Sequence, residues 1–403
     1  MQYDLTILGL GYIGLPMAAL AAQSGMQVLG VDINQRVVDT VNDGRVHIEE
    51  PGLPPIVAEV IKVGTLRAAA SPAASRIYMI AVPTPVDHAT HKPDMHMVES
   101  AAAAIAQVAE AGALVILQST SPVGSTRRVK NIIEQAKPEL KNVLQYVYCP
   151  ERAIPGKTMY EMIHNDRAVG GLTEEATRVG MEFYGKLVKG KLLHSNAETA
   201  EMVKLVENAS RDVQIAFANE LSLACDSMGL NVWEVIRMAN HHPRVNILQP
   251  GPGVGGHCIA VDPWFIIDAA PEHTPLMRAA RMVNDNKPDW VVQKIIAACG
   301  QFKEPHVCLL GLAYKENVDD FRESPSITAA NRLIAAKAAS VSVVEPYMEQ
   351  SDTYTLVSLE EGIRQADIVV LLTAHDAFKA ITPVMLEDKI VIDTRGKLPG
   401  SAS

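Results

Sequence analysis

The chain has 403 residues, 48% of them hydrophobic and 20% charged, the composition of an ordinary globular protein with room for two or three domains. A formal net charge of −10 argues against a nucleic-acid-binding surface, so basic residues that meet an anionic ligand must be gathered locally. Five scattered cysteines without Cys-x-x-Cys spacing speak against a disulfide framework or a zinc site, so no metal is expected; no apolar run approaches the ~20 residues of a membrane span, and a chain that opens directly on a strand carries no signal peptide, which together imply a cytoplasmic setting.

The first element is an apolar run at residues 5–8 that meets Gly9-Leu10-Gly11-Tyr12-Ile13-Gly14 and then an Ala-rich helical stretch. In such a turn Gly9 permits the reversal, Gly11 lets the backbone approach a pyrophosphate, and Gly14 lets the helix pack on the strand with its N-terminus toward the phosphates. The next strand, 27–32, ends in Asp32 at the spacing of a ribose contact, which favours NAD over NADP because a carboxylate repels a 2′-phosphate. Arg36, one helical turn on, suits either a 2′-phosphate or the face of an adenine.

Further short apolar runs at 77–82, 114–117 and 143–148 are separated by helical stretches, the pattern of a doubly wound parallel sheet. Ligands in such sheets bind beyond the carboxyl ends of the strands. Three segments fall there: Pro83-Thr84-Pro85, Ser119-Thr120 with Pro122-Val123-Gly124, and Cys149-Pro150-Glu151-Arg152.

Residues 197–228 contain neither Gly nor Pro and predict one long helix ended at Gly229. Its apolar stripe is Met202, Leu205, Ala209, Val213, Ala216 and Leu223. Lys204, Asn208 and Arg211 share another face, which is either a solvated edge or a catalytic row. Then comes Gly251-Pro252-Gly253-Val254-Gly255-Gly256-His257-Cys258, with Asp262 four residues past the thiol. This loop reads either as a tight turn before a structural cysteine or as the carrier of a nucleophile. A helix starting at the thiol would favour the thiolate. The other cysteines lie in apolar runs or helices and read as core. After residue 300 the alternation returns, with strands at 306–311, 341–344, 368–372 and 390–393 but no copy of the glycine motif, so this smaller unit is expected to hold something other than a second dinucleotide.

Together with Val82-Pro83-Thr84-Pro85, Pro150-Glu151, Gly255-Gly256-His257-Cys258 and Gly311-Leu312-Ala313-Tyr314-Lys315 leading to Asp320-Phe321-Arg322-Glu323-Ser324-Pro325, these motifs resemble the UDP-glucose/GDP-mannose dehydrogenase family nearly end to end. Cys149 to Gly156, Thr199-Ala200-Glu201-Met202, His242-Pro243-Arg244-Val245-Asn246 and the stretch to Pro263-Trp264 resemble the branch acting on UDP-N-acetyl-D-mannosamine. UDP-glucose is disfavoured by the loop after Glu151 and by Val261, where glucose-oxidising members carry lysine; UDP-N-acetylglucosamine stays an alternative.

The resemblance implies an α/β chain of two Rossmann-like doubly wound domains joined by a central long helix and a helical dimerisation region, divided at 1–196, 197–300 and 301–403. It implies four-electron, NAD-dependent oxidation of a sugar C6 alcohol to a carboxylate, for surface polysaccharide precursors. By the same resemblance Cys258 carries a thiohemiacetal and then a thioester, and Lys204 and Asn208 steady the oxyanion. Asp262 and Thr120 position a water, and Glu151 activates water for hydrolysis. Cofactor contacts fall to Gly9, Gly11, Tyr12, Ile13, Gly14, Asp32, Arg36, Pro83, Thr84, Ser119, Thr120 and Glu151. Substrate contacts fall to Arg152, Lys204, Asn208, Arg211, Asn246, Gly253, Gly255, His257, Tyr314, Lys315 and Arg322, with Arg244 reaching the partner's site in a homodimer. The rivals are a two-electron β-hydroxyacid dehydrogenase, which needs neither Cys258 nor a second α/β unit, and a non-catalytic NAD-responsive protein.

Overall fold

The computed structural model describes residues 3–87, 89–154, 156–256 and 258–400, arranged as two compact units. The first comprises Met1–Glu207 with Trp264–Ala269, the second Asn208–Pro263 with Ala270–Ser403.

The first unit is built on eight strands: β1 (Tyr3–Leu8), β2 (Val28–Val31), β3 (Leu66–Ala69), β4 (Ser75–Ile80), β5 (Leu114–Leu117), β6 (Gln145–Tyr148), β7 (Arg167–Gly171) and β8 (Leu192–Asn196). Their order is β3-β2-β1-β4-β5-β6-β7-β8, parallel throughout except for the β6–β7 pair. Alternation explains why helices cover both faces. Leu5, Ile7, Met79, Ile116 and Val147 belong to one apolar core, and Leu8, Tyr78, Ile80, Val115, Leu117 and Tyr148 to the other. Strands β3, β7 and β8 lie outside the sequence expectation. The alternating Leu66-Arg67-Ala68-Ala69 is short, β8 is a half-exposed edge, and β7 contains Arg167 and two glycines.

The second unit holds β9 (His306–Leu310), β10 (Ser340–Val344), β11 (Ile368–Leu371) and β12 (Ile390–Asp393), all parallel in the order β10-β9-β11-β12. The same period-two split recurs: Val307, Leu309, Val343 and Val370 face one core, Cys308, Leu310, Val344 and Leu371 the other.

The long helix spans Ala197–Ser227, and Gly229, at a φ of 67°, ends it as expected. Its buried face differs from the apolar stripe. Leu205, Ala209 and Ala216 are buried, but so are Glu201, Asp212 and Asn219, while Met202 and Phe217 are exposed. The polar residues tolerate burial because each has hydrogen-bond partners there. Cys149, Cys225, Cys299 and Cys308 are buried as expected, and Cys258 is exposed.

Candidate active site

The turn after β1 gives each glycine its own reason. Gly9 has a φ of 95°, and a side chain on it would lie 2.6 Å from the Ala81 carbonyl oxygen beyond β4. One on Gly14, at the start of helix Gly14–Gln23, would collide with the Gly9 carbonyl. Gly11 is exposed, with nothing within 4 Å of where a β-carbon would stand. That bare backbone before a helix N-terminus suits a pyrophosphate. Asp32 accepts the Leu10 N–H (3.0 Å) and the Asn34 N–H (2.9 Å), which sets its carboxylate beside the turn. These residues fit an NAD adenosine and pyrophosphate. Tyr12 and Arg36 are exposed and Ile13 is half-buried. His47, unmarked in the sequence, bonds the Leu10 backbone near Asp32; burial lowers its pKa against the pull of both.

The loops at the strand ends are stitched together. Thr84 Oγ1 donates to the Thr120 carbonyl (2.6 Å), and Ser119 Oγ donates to that of Val82 (2.7 Å), beside the exposed Pro83. Glu201, from the long helix, accepts the Gly124 N–H (2.6 Å) and the Thr126 N–H (2.7 Å), capping helix Ser125–Ala136 from a distance. Burial pushes the Glu201 carboxyl up, against the pull of these donors.

Glu151 follows β6 and is buried. Its Oε1 accepts the Arg152 and Ala153 N–H groups (2.8 and 3.0 Å), and its Oε2 accepts Arg167 Nη2 (2.7 Å). Arg167 is a buried cation on β7; burial works against its charge, but Glu151, helped by Cys149 and Tyr184, outweighs this and its pKa is raised. Arg152, expected at the substrate, pairs with Glu207 (2.5 Å) and donates to the Asp166 carbonyl (3.0 Å). Glu50 closes the same loop from far along the chain, accepting the Gly156 and Thr158 N–H groups, both at 2.8 Å. Glu50, Arg167 and Glu207 escape sequence reading because each meets its partner only in the fold.

In the second unit the Cys258 carbonyl accepts the Asp262 N–H (2.8 Å), so the exposed thiol begins a helical turn that runs into helix Asp262–Ala269. Asp262 is buried, and its Oδ2 accepts Asn208 Nδ2 from the long helix (2.5 Å). Lys204, buried, stands one turn before Asn208 on that helix. The sequence allowed a solvated row here. Instead, the row grades from buried Lys204 through half-buried Asn208 to exposed Arg211. The glycines before the thiol pack on protein. Side chains there would meet Pro325 Cβ at Gly253 (2.8 Å), the Glu323 carbonyl oxygen at Gly255 (2.6 Å) and the Tyr314 ring at Gly256 (2.9 Å). Pro155 and His257 lie outside the described residues.

Arg322 holds both oxygens of Asp320 (2.9 and 2.7 Å), a bidentate pair. Lys315, Arg244 and Asn246 are exposed. Arg395, not singled out in the sequence, brings Nη1 against Gly251, 2.5 Å from where a side chain would start.

The chain matches the NAD binding domain of the UDP-glucose/GDP-mannose dehydrogenase family over residues 3–188, its central domain over 198–286 and its UDP binding domain over 308–399. The chain belongs to this family. An NDP-N-acetyl-D-galactosaminuronic acid dehydrogenase from Ralstonia nicotianae is 47% identical, over 97% of this chain and 95% of its own. A UDP-N-acetyl-D-mannosamine dehydrogenase from Escherichia coli K12 is 46% identical, over 97% and 98%. A UDP-D-ManNAc dehydrogenase structure from Pyrococcus horikoshii superimposes with a TM-score of 0.90 at 37% identity, covering 97% of this chain and 95% of that one. As a member of the UDP-glucose/GDP-mannose dehydrogenase family the protein is an NAD-dependent UDP-sugar dehydrogenase. No helix among the described residues is long and apolar enough to cross a membrane.

Proposed function

We propose that the protein oxidises C6 of UDP-N-acetyl-D-mannosamine to the carboxylate, as a cytoplasmic homodimer in which Arg244 reaches the partner's substrate, supplying a precursor for surface polysaccharide. The observation that carries the chemistry is the Cys258 turn, an exposed thiol one helical turn from an aspartate held by Asn208. The relatives that act on N-acetylated sugars and the loop after Glu151 support the choice of sugar.

Two NAD molecules, bound one after the other, would supply the hydride acceptors, one for each oxidation. Asp262 and Thr120 hold the water that takes the alcohol proton. The Cys258 thiolate adds to the C6 aldehyde carbon, and Lys204 and Asn208 hold the oxygen that becomes negative. Loss of a second hydride leaves a thioester. Glu151 takes a proton from the water that attacks it, and the Cys258 sulfur departs as the acid forms. Arg167 and the two amides on Glu151 fix its orientation for this step.

The test is NADH formation with UDP-N-acetylmannosamine, UDP-N-acetylgalactosamine, UDP-N-acetylglucosamine and UDP-glucose. UDP-N-acetylmannosamine is expected to give the highest kcat/KM, with two NADH per acid; one NADH per substrate would sink the four-electron route. UDP-N-acetylgalactosamine is the second reading, favoured by the Ralstonia relative. Cys258→Ser is expected to lose acid formation by about 1,000-fold or more, stalling after the first oxidation. Cys258→Ala should bind NAD normally yet give no acid.

A further inference from the structure

Asn208 and Asn219 lie on the long helix about three turns apart, and so on nearly the same face. Each grips one end of the segment that carries the thiol. Asn208 Nδ2 donates to Asp262 Oδ2 (2.5 Å), just past Cys258, and Asn219 Oδ1 accepts the Gly251 N–H (2.8 Å), where the glycine loop begins. We propose that Asn219 is a positioning residue for Cys258: with Asn208 it fastens both ends of the cysteine segment to one rigid helix, so that the thiol stands ready to capture the aldehyde formed by the first oxidation. This rests on Cys258 being the nucleophile.

Asn219 is fully buried, and the direction of its amide is dictated from behind. Its Nδ2 donates to Asn284 Oδ1 (2.8 Å). Asn284 Nδ2 donates to Asp212 Oδ1 (2.8 Å) and to the Asp212 carbonyl (3.1 Å). Arg281 Nη1 donates to the same carboxylate oxygen (2.5 Å). Asp212, Arg281 and Asn284 are as deeply buried as Asn219. An ionised carboxylate only accepts, so Asn284 must turn its NH2 toward Asp212 and its oxygen toward Asn219. Asn219 must then turn its NH2 toward Asn284, which leaves its own oxygen for Gly251. The Asp212–Arg281 pair thus sets the polarity of a relay that ends on the backbone of the cysteine loop. Between the two anchors the loop lies flat on Pro325, the Glu323 carbonyl and Tyr314, because Gly253, Gly255 and Gly256 add no side chains.

Both Asn219→Ala and Asn219→Asp test the proposal in the full-length enzyme. The first leaves the Gly251 N–H without its acceptor. The second is isosteric but sets an acceptor against Asn284 Oδ1, and turning Asn284 over would press its oxygen on Asp212. A thiol displaced by an ångström is expected to slow acid formation by about 10- to 100-fold. The NAD KM should stay within about twofold, because the glycine turn and Asp32 are untouched. The distinguishing readout is the fate of the aldehyde. With hydroxylamine present, both variants are expected to release oxime and to make more than two NADH per acid, and iodoacetamide should alkylate Cys258 at a changed rate in the folded protein. Asn284→Ala, which leaves the Asn219 oxygen in place, should show the same leak more weakly and serves if the Asn219 variants do not fold.

Unchanged acid formation, or a loss with neither oxime nor altered alkylation, overturns the positioning role. If Cys258→Ala still makes acid, the underlying reading has failed instead, so the two failures are distinguishable.

Discussion

In both sheets the first strand runs into a glycine of positive φ, Gly9 at 95° and Gly311 at 84°, and the acid that ends the neighbouring strand accepts the amide that follows. In the first unit Asp32 accepts from Leu10; in the second Glu345 accepts from Leu312 (2.5 Å). There the two part ways. Asp32 is half-exposed, and the backbone at Gly11 is bare. Glu345 is buried and also takes the amides of Ala313 (3.1 Å) and Tyr347 (3.0 Å). His375 Nδ1 accepts the Asn317 N–H, which leaves Nε2 to donate to Glu345 (3.2 Å). Ser324 and Thr373 hydroxyls fill the carbonyls of Leu312 and Ala313, both at 2.6 Å. One backbone device is a ligand cradle where it is left uncovered and an internal brace where the protein covers it. In the second unit the protein's own side chains fill the place that the first unit leaves bare.

Removing the two acids is the strongest way to break this contrast. Glu345→Ala orphans three amides and a histidine and is expected to cost about 2–4 kcal/mol in urea unfolding, with the NAD KM unchanged. Burial works to raise the Glu345 pKa, but His375 and the Leu312 and Tyr347 amides overcome it, so the pKa lies below its ordinary 4.5. A depressed carboxylate contributes stability above its unfolded pKa and loses it as pH falls through the folded one. Wild type should therefore lose this contribution below about pH 4.5, and Glu345→Gln should flatten that acid limb. An equally steep limb in the variant would place the acid sensitivity elsewhere.

Asp32→Ala should do the reverse, raising the NAD KM by about 10- to 100-fold, the worth of a charged hydrogen bond to the ribose, while stability changes by about 1 kcal/mol or less. Equal effects on stability from the two acids would dissolve the distinction. The glycines give the smallest and sharpest test. Gly311→Ala meets the Thr373 backbone at a positive φ and should cost about 1–3 kcal/mol. Gly11→Ala meets nothing within the protein, so its unfolding midpoint should stay put while the NAD KM rises.

What the sequence disclosed follows from how local each signal is. The glycine turn, Asp32, the long helix and the strands of both sheet centres are contiguous patterns, and they stand where expected. β3 and β8 are only partly buried, and β7 carries a buried arginine, so no apolar run announces them. Cys258, Lys204 and Glu151 stand out in the sequence as candidates, by their chemistry and their place in family motifs. Their partners do not. Arg167 on Glu151, Glu207 on Arg152 and Asn219 on Gly251 are pairings that only the folded chain makes.

Glu50 carries a practical consequence for anyone exchanging the loop after Glu151. The loop after Glu151 ends where Gly156 and Thr158 hand their amides to a buried carboxylate contributed by a part of the chain completed far earlier in synthesis. A graft limited to residues 152–157 would therefore leave behind the carboxylate on which the loop closes. Chimeras between family members should exchange the segment around Glu50 and this loop together.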